Sequence, residues 1–272
     1  MSIKRVLLAI ILLFLIFAVF SIYNNREVQS SYEVAVLCYH HIVDREPEND
    51  CEIRIENFKE HMEYLYDNDY HPLSLEEFLD SYKNDSFPDR AILLTFDDGY
   101  ASFYHKAYPV LKRYQFPATI FPIVSHIPGL QREILFSDKL SFHQIRLMDS
   151  NSGLISVGSH SYNLHHYADT NRPAVMPANN ESSEEYRCRI QEDLRLSKNL
   201  LSQQTDMEIK ALAWPFGVST NKAKEIAIDA NFKLIFTLES KLFTPEDNIS
   251  SIPRVPADAL SIEEFKETLF SI

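Results

Sequence analysis

Glycine is scarce in this sequence, at 5 of 272 residues, and tryptophan occurs once. With 45% apolar residues, a chain so poor in glycine is not disordered; it has the make-up of an ordinary globular protein. Cysteine is scarce too. Cys38, Cys51 and Cys188 form no metal-finger or redox spacing, and at least one of the three has no partner within the chain. A Cys38–Cys51 bridge stays open. Positive charge is in deficit, with 26 Lys and Arg against 39 Asp and Glu and a net charge of -13. That balance excludes a nucleic-acid partner, because phosphate binding needs basic patches. The acids are spread along the chain, so solubility is their first role, although a cationic product would also be tolerated. No internal repeat is present.

What the chain does have is one long apolar run, from Val6 to Phe20, trailing off through Ser21, Ile22 and Tyr23 behind Lys4 and Arg5. At about 18 residues it is just long enough to cross a bilayer. The basic flank stays in the cytoplasm, which sends the rest of the chain outside. A cleaved signal peptide is the rival, but its one small-residue site, Val19-Phe20-Ser21, fits the cleavage pattern poorly. An uncleaved anchor over residues 1–24 is therefore expected, then a tether over 25–33 and one catalytic domain over 34–272. The domain would sit on the outer face of the cell membrane, or be secreted if the segment is cut.

Beyond the tether, brief apolar runs alternate with helical patterns. Val34–Tyr39, Ala91–Phe96, Ala118–Ile123, Leu154–Val157, Ala211–Trp214 and Leu234–Leu238 read as buried strands. Phe58, Met62 and Leu65 share a helix face; Ser74 with Glu77 and Ser261 with Glu264 are capping boxes. Further helices are expected over Ser102–Tyr114, Ser137–Asp149, Glu184–Leu201 and Thr220–Ala230. This alternation predicts an α/β fold, a deformed or incomplete (β/α) barrel. The stretch from Tyr167 to Ser183 reads as irregular, either a wall of a substrate groove or a surface insertion.

The strand Ala91-Ile-Leu-Leu-Thr-Phe-Asp-Asp-Gly99 ends in two acids where a (β/α) barrel places its chemistry. Neighbouring residues leave a strand in different directions, so one acid could hold a metal while the other takes a proton. Alone, Asp-Asp-Gly is as well explained by a turn. The second cluster, Val157-Gly-Ser-His160-Ser-Tyr-Asn-Leu-His165-His166, also follows a strand. Two imidazoles and a carboxylate from another strand end make a plausible set of three metal ligands with room for water. His166 is set aside as the non-ligand, a choice that spacing alone leaves open.

Thr95-Phe-Asp-Asp-Gly99 resembles the first signature of the polysaccharide deacetylases, the NodB homology domain of carbohydrate esterase family four. The resemblance implies Asp97 as catalytic base and Asp98, His160 and His165 as ligands of a divalent metal, zinc first, with cobalt, nickel or manganese as alternatives. The usual second signature is His-Ser/Thr-x-x-His. Here Leu164 stands at the second histidine position and His165 follows it, a spacing similar to that of the biofilm poly-N-acetylglucosamine deacetylases of intercellular-adhesin type. Leu37-Cys-Tyr-His-His41 and Ala213-Trp-Pro-Phe-Gly217 resemble elements of the same branch, and the resemblance runs from about Val34 to the C-terminus. The late Leu-x-His motif that carries the general acid elsewhere in the family is missing. In the biofilm branch an N-terminal histidine takes that part, which implies His40, with His41 facing away. Arg254 is implied to orient Asp97.

The implied reaction is hydrolysis of N-acetyl groups on a polymer of N-acetylglucosamine. Tyr39, Tyr162, Trp214 and Phe216 are candidate sugar contacts, with Tyr162 favoured over Trp214, whose default is core packing. A backbone N–H near Trp214 to Gly217 is a candidate oxyanion donor. Peptidoglycan, chitin-type or O-acetylated xylan substrates, and a catalytically decayed carbohydrate-binding protein, are the rival readings. Oligomeric state is not legible.

Overall fold

All six apolar runs form strands in the computed structural model, which describes residues 32–129 and 138–270. They are β1 (Ala35–Tyr39), β2 (Ala91–Asp98), β3 (Ala118–Pro122), β4 (Ile155–Val157), β5 (Ala211–Ala213) and β6 (Leu234–Phe236). A seventh strand of the barrel, β7 (Val255–Pro256), is only two residues long, one of them proline, and is too short to leave a periodic signature.

The pairing between these strands is parallel throughout. β7, β1, β2, β3 and β4 lie side by side, and β5 pairs with β6. Single parallel bridges, Ser159 to Leu212 and Phe236 to Ile252, join the two groups. The strand order thus returns to its start, and the sheet curls into a barrel of seven strands, one short of the eight of a full (β/α) barrel. This is the deformed, incomplete barrel expected.

Seven α-helices lie among the described residues: α1 (Ile55–Asp67), α2 (Leu75–Lys83), α3 (Tyr108–Tyr114), α4 (Phe142–Ser152), α5 (Ser183–Thr205), α6 (Asn221–Asp229) and α7 (Ile262–Leu269). The capping boxes at Ser74 and Ser261 start α2 and α7, and a third, Ser182 with Glu185, starts α5. The helix expected over Ser102–Tyr114 opens with a π-helical turn, Phe103–Ala107. Part of the Tyr167–Ser183 stretch is ordered into a small antiparallel hairpin, Tyr167–Asp169 with Arg172–Pro173.

Strand alternation sorts the core into two clusters. Val36, Ala91, Leu93, Ala213 and Phe236 pack together inside the barrel, closed at one end by Phe78 and Phe243. Leu37, Ile92, Leu94 and Phe96 face the other way, against Phe58, Met62 and Leu65 of α1 and Leu111 of α3. The same period carries Thr95 and Asp97 to the interior face of β2.

The anchor expected over residues 1–24 and nearly all of the tether lie outside the described residues, as does Ser137 at the start of one expected helix. Among the described residues no helix is long and apolar enough to cross a membrane. All three cysteines are free, Cys38 buried and Cys51 and Cys188 exposed, so the Cys38–Cys51 bridge is not formed.

Candidate active site

β2 delivers its two acids to the barrel rim in different environments. Asp97 is buried, and Arg254 grips both its oxygens, Nη1 to Oδ1 and Nη2 to Oδ2, each at 2.7 Å. The guanidinium is itself buried. It donates through Nε to the Thr237 carbonyl at 2.9 Å and through Nη1 to Thr95 Oγ1 at 3.2 Å, and lies beside the Phe121 and Phe236 rings, 5.8 Å and 5.9 Å from their centres. Burial alone would raise the Asp97 pKa, but the charge and hydrogen bonds of Arg254, with His160 and His40 acting in the same direction, together hold the carboxyl well below the usual range. Asp97 is a carboxylate at any working pH.

Asp98 turns away from its neighbour because the chain bends at this point. It has φ 64° and Gly99 has φ 68°, two left-handed residues in succession. Only glycine fits the second position, since a Cβ there would lie 2.7 Å from that of Pro122.

His160 follows β4. Its Nδ1 lies 2.8 Å from the Ala213 carbonyl, which fixes the proton on that nitrogen and leaves the Nε2 lone pair free. Burial pushes its pKa down to about 4, so the ring is neutral near pH 7. Ser161, with φ 68°, then folds the loop back. Asp193 of α5 accepts the Tyr162 and Asn163 N–H groups, each at 2.8 Å, and the Ser161 hydroxyl accepts that of Leu164 at 3.0 Å. With the loop held this way Leu164 enters the core and His165 reaches the acids, so the extra residue between the histidines is taken up by a buried leucine.

Nε2 of His160 and Nε2 of His165 each stand 3.5 Å from Asp98 Oδ1. The three ligand atoms lie within 4.8 Å of one another, while the exposed His166 is outside the group. Asp98 Oδ1 is buried with no hydrogen-bond partner. A buried anionic oxygen facing two neutral imidazole lone pairs is costly by itself and is what a divalent cation satisfies. The residues fit a metal ion. A second close trio, Cys38, His40 and Asp97, does not: Arg254 holds both Asp97 oxygens, and burial pushes the Cys38 thiol up and keeps it protonated.

His40 leaves β1 on the interior side. Its Nδ1 is 2.7 Å from Asp258 Oδ2, and its backbone N–H donates to Oδ1 of the same carboxylate at 2.9 Å. Burial works against the charged ring, but the hydrogen bond and charge of Asp258 prevail and lift its pKa to about 9. His41 faces elsewhere and stacks on Tyr100 at 4.4 Å. Asp258 had no mark in the sequence, because it stands in an ordinary loop 218 positions from its partner.

Two of the aromatic assignments need correction. Tyr39 and Trp214 are fully buried and offer no face to a sugar. Tyr39 packs against Phe58 and Phe96 and shares a hydrogen bond with His61, and Trp214 belongs to the core beneath the helices. Tyr162 is half-buried against the same core. Phe216 is at the site, its ring 4.3 Å from that of His165, with φ 57°. In this segment the Trp214 N–H donates to Phe236 and that of Gly217 to Trp214, which leaves the Phe216 N–H without such a bond among the described residues. Gly217 is forced by its φ of 68° and by the Leu238 backbone, 2.6 Å from where a Cβ would lie.

The family model for polysaccharide deacetylase matches residues 84–235. Poly-beta-1,6-N-acetyl-D-glucosamine N-deacetylase of Escherichia coli (strain K12) is 28% identical over 242 residues, covering 81% of this chain and 36% of that protein. The protein of the same name from Staphylococcus aureus (strain MSSA476) is 31% identical over 198 residues, covering 73% of this chain and 65% of its own length. The chain therefore spans about a third of the first relative and just under two thirds of the second. Among solved structures, a de-N-acetylase from Aggregatibacter actinomycetemcomitans is similar with a TM-score of 0.77 at 27% identity, covering 87% of this chain and 100% of that one. IcaB from Ammonifex degensii is similar with a TM-score of 0.75 at 27% identity, covering 87% and 97%.

Proposed function

This chain belongs to the polysaccharide deacetylase family, and from that premise we propose that it hydrolyses N-acetyl groups on a surface polysaccharide, poly-beta-1,6-N-acetyl-D-glucosamine, to acetate and free amines. The observation that carries the reading is the pairing of an ionised, unligated Asp97 with the Asp98, His160 and His165 group beside it. The names of the two curated relatives support the substrate.

Asp98, His160 and His165 would hold the ion, for which zinc is proposed; cobalt, nickel and manganese suit the same N/O donors. Bound there, a divalent ion supplies Lewis acidity and lowers the pKa of water. Asp97 accepts the proton of the attacking water, and Arg254 keeps that carboxylate ionised and oriented. The Phe216 N–H is the amide of its segment available to meet the developing oxyanion. His40, charged at neutral pH by Asp258, donates the proton that lets the glucosamine nitrogen leave. The polymer gains a positive charge with each acetate released.

The N-terminal segment is proposed to hold the domain at the outer face of the cell membrane, on the strength of its apolar run and basic flank.

Acetate release from poly-N-acetylglucosamine, peptidoglycan and acetylated xylan, compared at equal acetyl content, tests the substrate assignment. Release from the first at least about tenfold above the others is the expected result. Preferred release from peptidoglycan or xylan would move the enzyme to another branch of the family, and no release from any of the three would leave a binding protein.

A further inference from the structure

Few large apolar side chains are strongly exposed among the described residues, and one of them stands beside the site. Tyr167 is 58% exposed. A single exposed aromatic needs no explanation in general, but this one is held in place. Its ring stacks on Phe216 with centroids 4.7 Å apart at 30°, and Phe216 in turn lies 4.3 Å from the ligand His165. The ring is thus two contacts from the metal group, on the outer side of Phe216.

The scaffold under Tyr167 is built. It opens the hairpin strand Tyr167–Asp169, whose register sets it opposite Pro173. Arg172 bridges the hairpin to Asp169 at 2.9 Å, and the Ala174 N–H closes its base on the His166 carbonyl at 2.9 Å. Behind it Arg189 of α5 donates to the Ala174 and Met176 carbonyls and pairs with both Glu181 oxygens. A hairpin pinned at tip and base presents its aromatic at low conformational cost, which is the condition under which a tyrosine contributes to binding.

We infer that Tyr167 is a sugar-binding platform, stacking on a residue of the N-acetylglucosamine chain next to the one whose acetamide reacts. The inference rests on the deacetylase reading and adds a determinant of chain length to it. Two ring contacts are the reach of a neighbouring sugar and not of the reacting group, so Tyr167 favours a chain over a single residue. Sugar rings offer C–H faces to aromatic rings, and a Tyr hydroxyl at the edge keeps the platform wetted when empty.

The test measures binding apart from turnover. In the full chain carrying Asp97→Asn, held in detergent, affinity for penta-N-acetylglucosamine and for the monosaccharide is read by calorimetry with and without Tyr167→Ala. Tyr167→Ala weakens the pentasaccharide about tenfold and the monosaccharide much less; Tyr167→Trp restores the difference, and Phe270→Ala, at an exposed aromatic just past the end of α7, serves as the control. Equal losses for both ligands would make Tyr167 a mere buttress of Phe216 and His165 and overturn the inference, as would no loss for either. If the unmutated chain binds the oligomer yet releases no acetate, the deacetylase reading fails while the same comparison still decides the part of Tyr167.

Discussion

Arg254 and Asp258 set the charge on the two groups that would move protons, and each can be tested by removing it. Arg254 and Asp97 form a pair with almost no solvent contact, so Arg254→Ala leaves a bare buried carboxylate. A loss of about 3–5 kcal/mol in urea unfolding is expected, with turnover abolished. Asp258→Asn is milder. A general acid must be protonated, so kcat/KM falls on the alkaline side as pH passes the His40 value of about 9. Without the carboxylate that value drops toward the ordinary 6.5, and the alkaline limb of the pH profile moves down by at least about one unit. An unmoved limb would show that another group sets it. The acids and histidines of the site were legible because each lies at a strand end or in the loop that follows one, whereas Asp258 was not, its pairing with His40 being purely tertiary. Tyr39 and Trp214 misled for a related reason: residue type identifies a ring able to bind sugar, but burial decides whether a sugar can reach it.

α5 is the element that shapes the histidine loop. Asp193 ties down Tyr162 and Asn163, and Ser197 accepts a hydrogen bond from Ser159 at 2.8 Å. Asp193→Ala frees the two N–H groups and loosens the turn that brings His165 round to Asp98. Zinc affinity, read by competition with a chromophoric chelator, is expected to fall at least about tenfold while the far-UV spectrum is unchanged. Unchanged affinity would mean that the loop holds its shape without α5. The barrel strands and the capped helices were readable from apolar runs and Ser-x-x-Glu boxes. Shorter features were not: β7, two residues of which one is proline, the strand His71–Pro72 beside β2, the parallel pair His41–Val43 with Glu52–Arg54, and the Tyr167–Pro173 hairpin, whose polar turn residues carry no periodic pattern.

At the scale of the whole barrel, α1 and α7 meet through a buried histidine. His61 stacks on Phe265 at 3.9 Å and shares a hydrogen bond with Tyr39 across the core. Burial lowers its pKa from 6.5 to about 4. Between those values the unfolded chain takes up a proton that the native ring refuses, so the stability contributed by neutral His61 is present above 6.5 and lost as pH falls toward 4. The melting midpoint should therefore drop by several degrees more in the parent chain than in His61→Gln between about pH 7 and about pH 4. Parallel curves would assign the acid sensitivity elsewhere. The alternation that fills the barrel from one strand face and clothes it from the other brings Asp97 to the interior, and the left-handed turn at Asp98 and Gly99 carries the second acid round to the histidines.

The most direct measurement is metal stoichiometry set beside acetate release in three forms of the full chain. The parent form should bind one zinc ion and turn over; Asp97→Asn should bind one ion and release no acetate; Asp98→Ala should bind none. Zinc bound with undiminished affinity by Asp98→Ala, or acetate released at the parent rate by Asp97→Asn, would contradict the division of labour between the two adjacent acids.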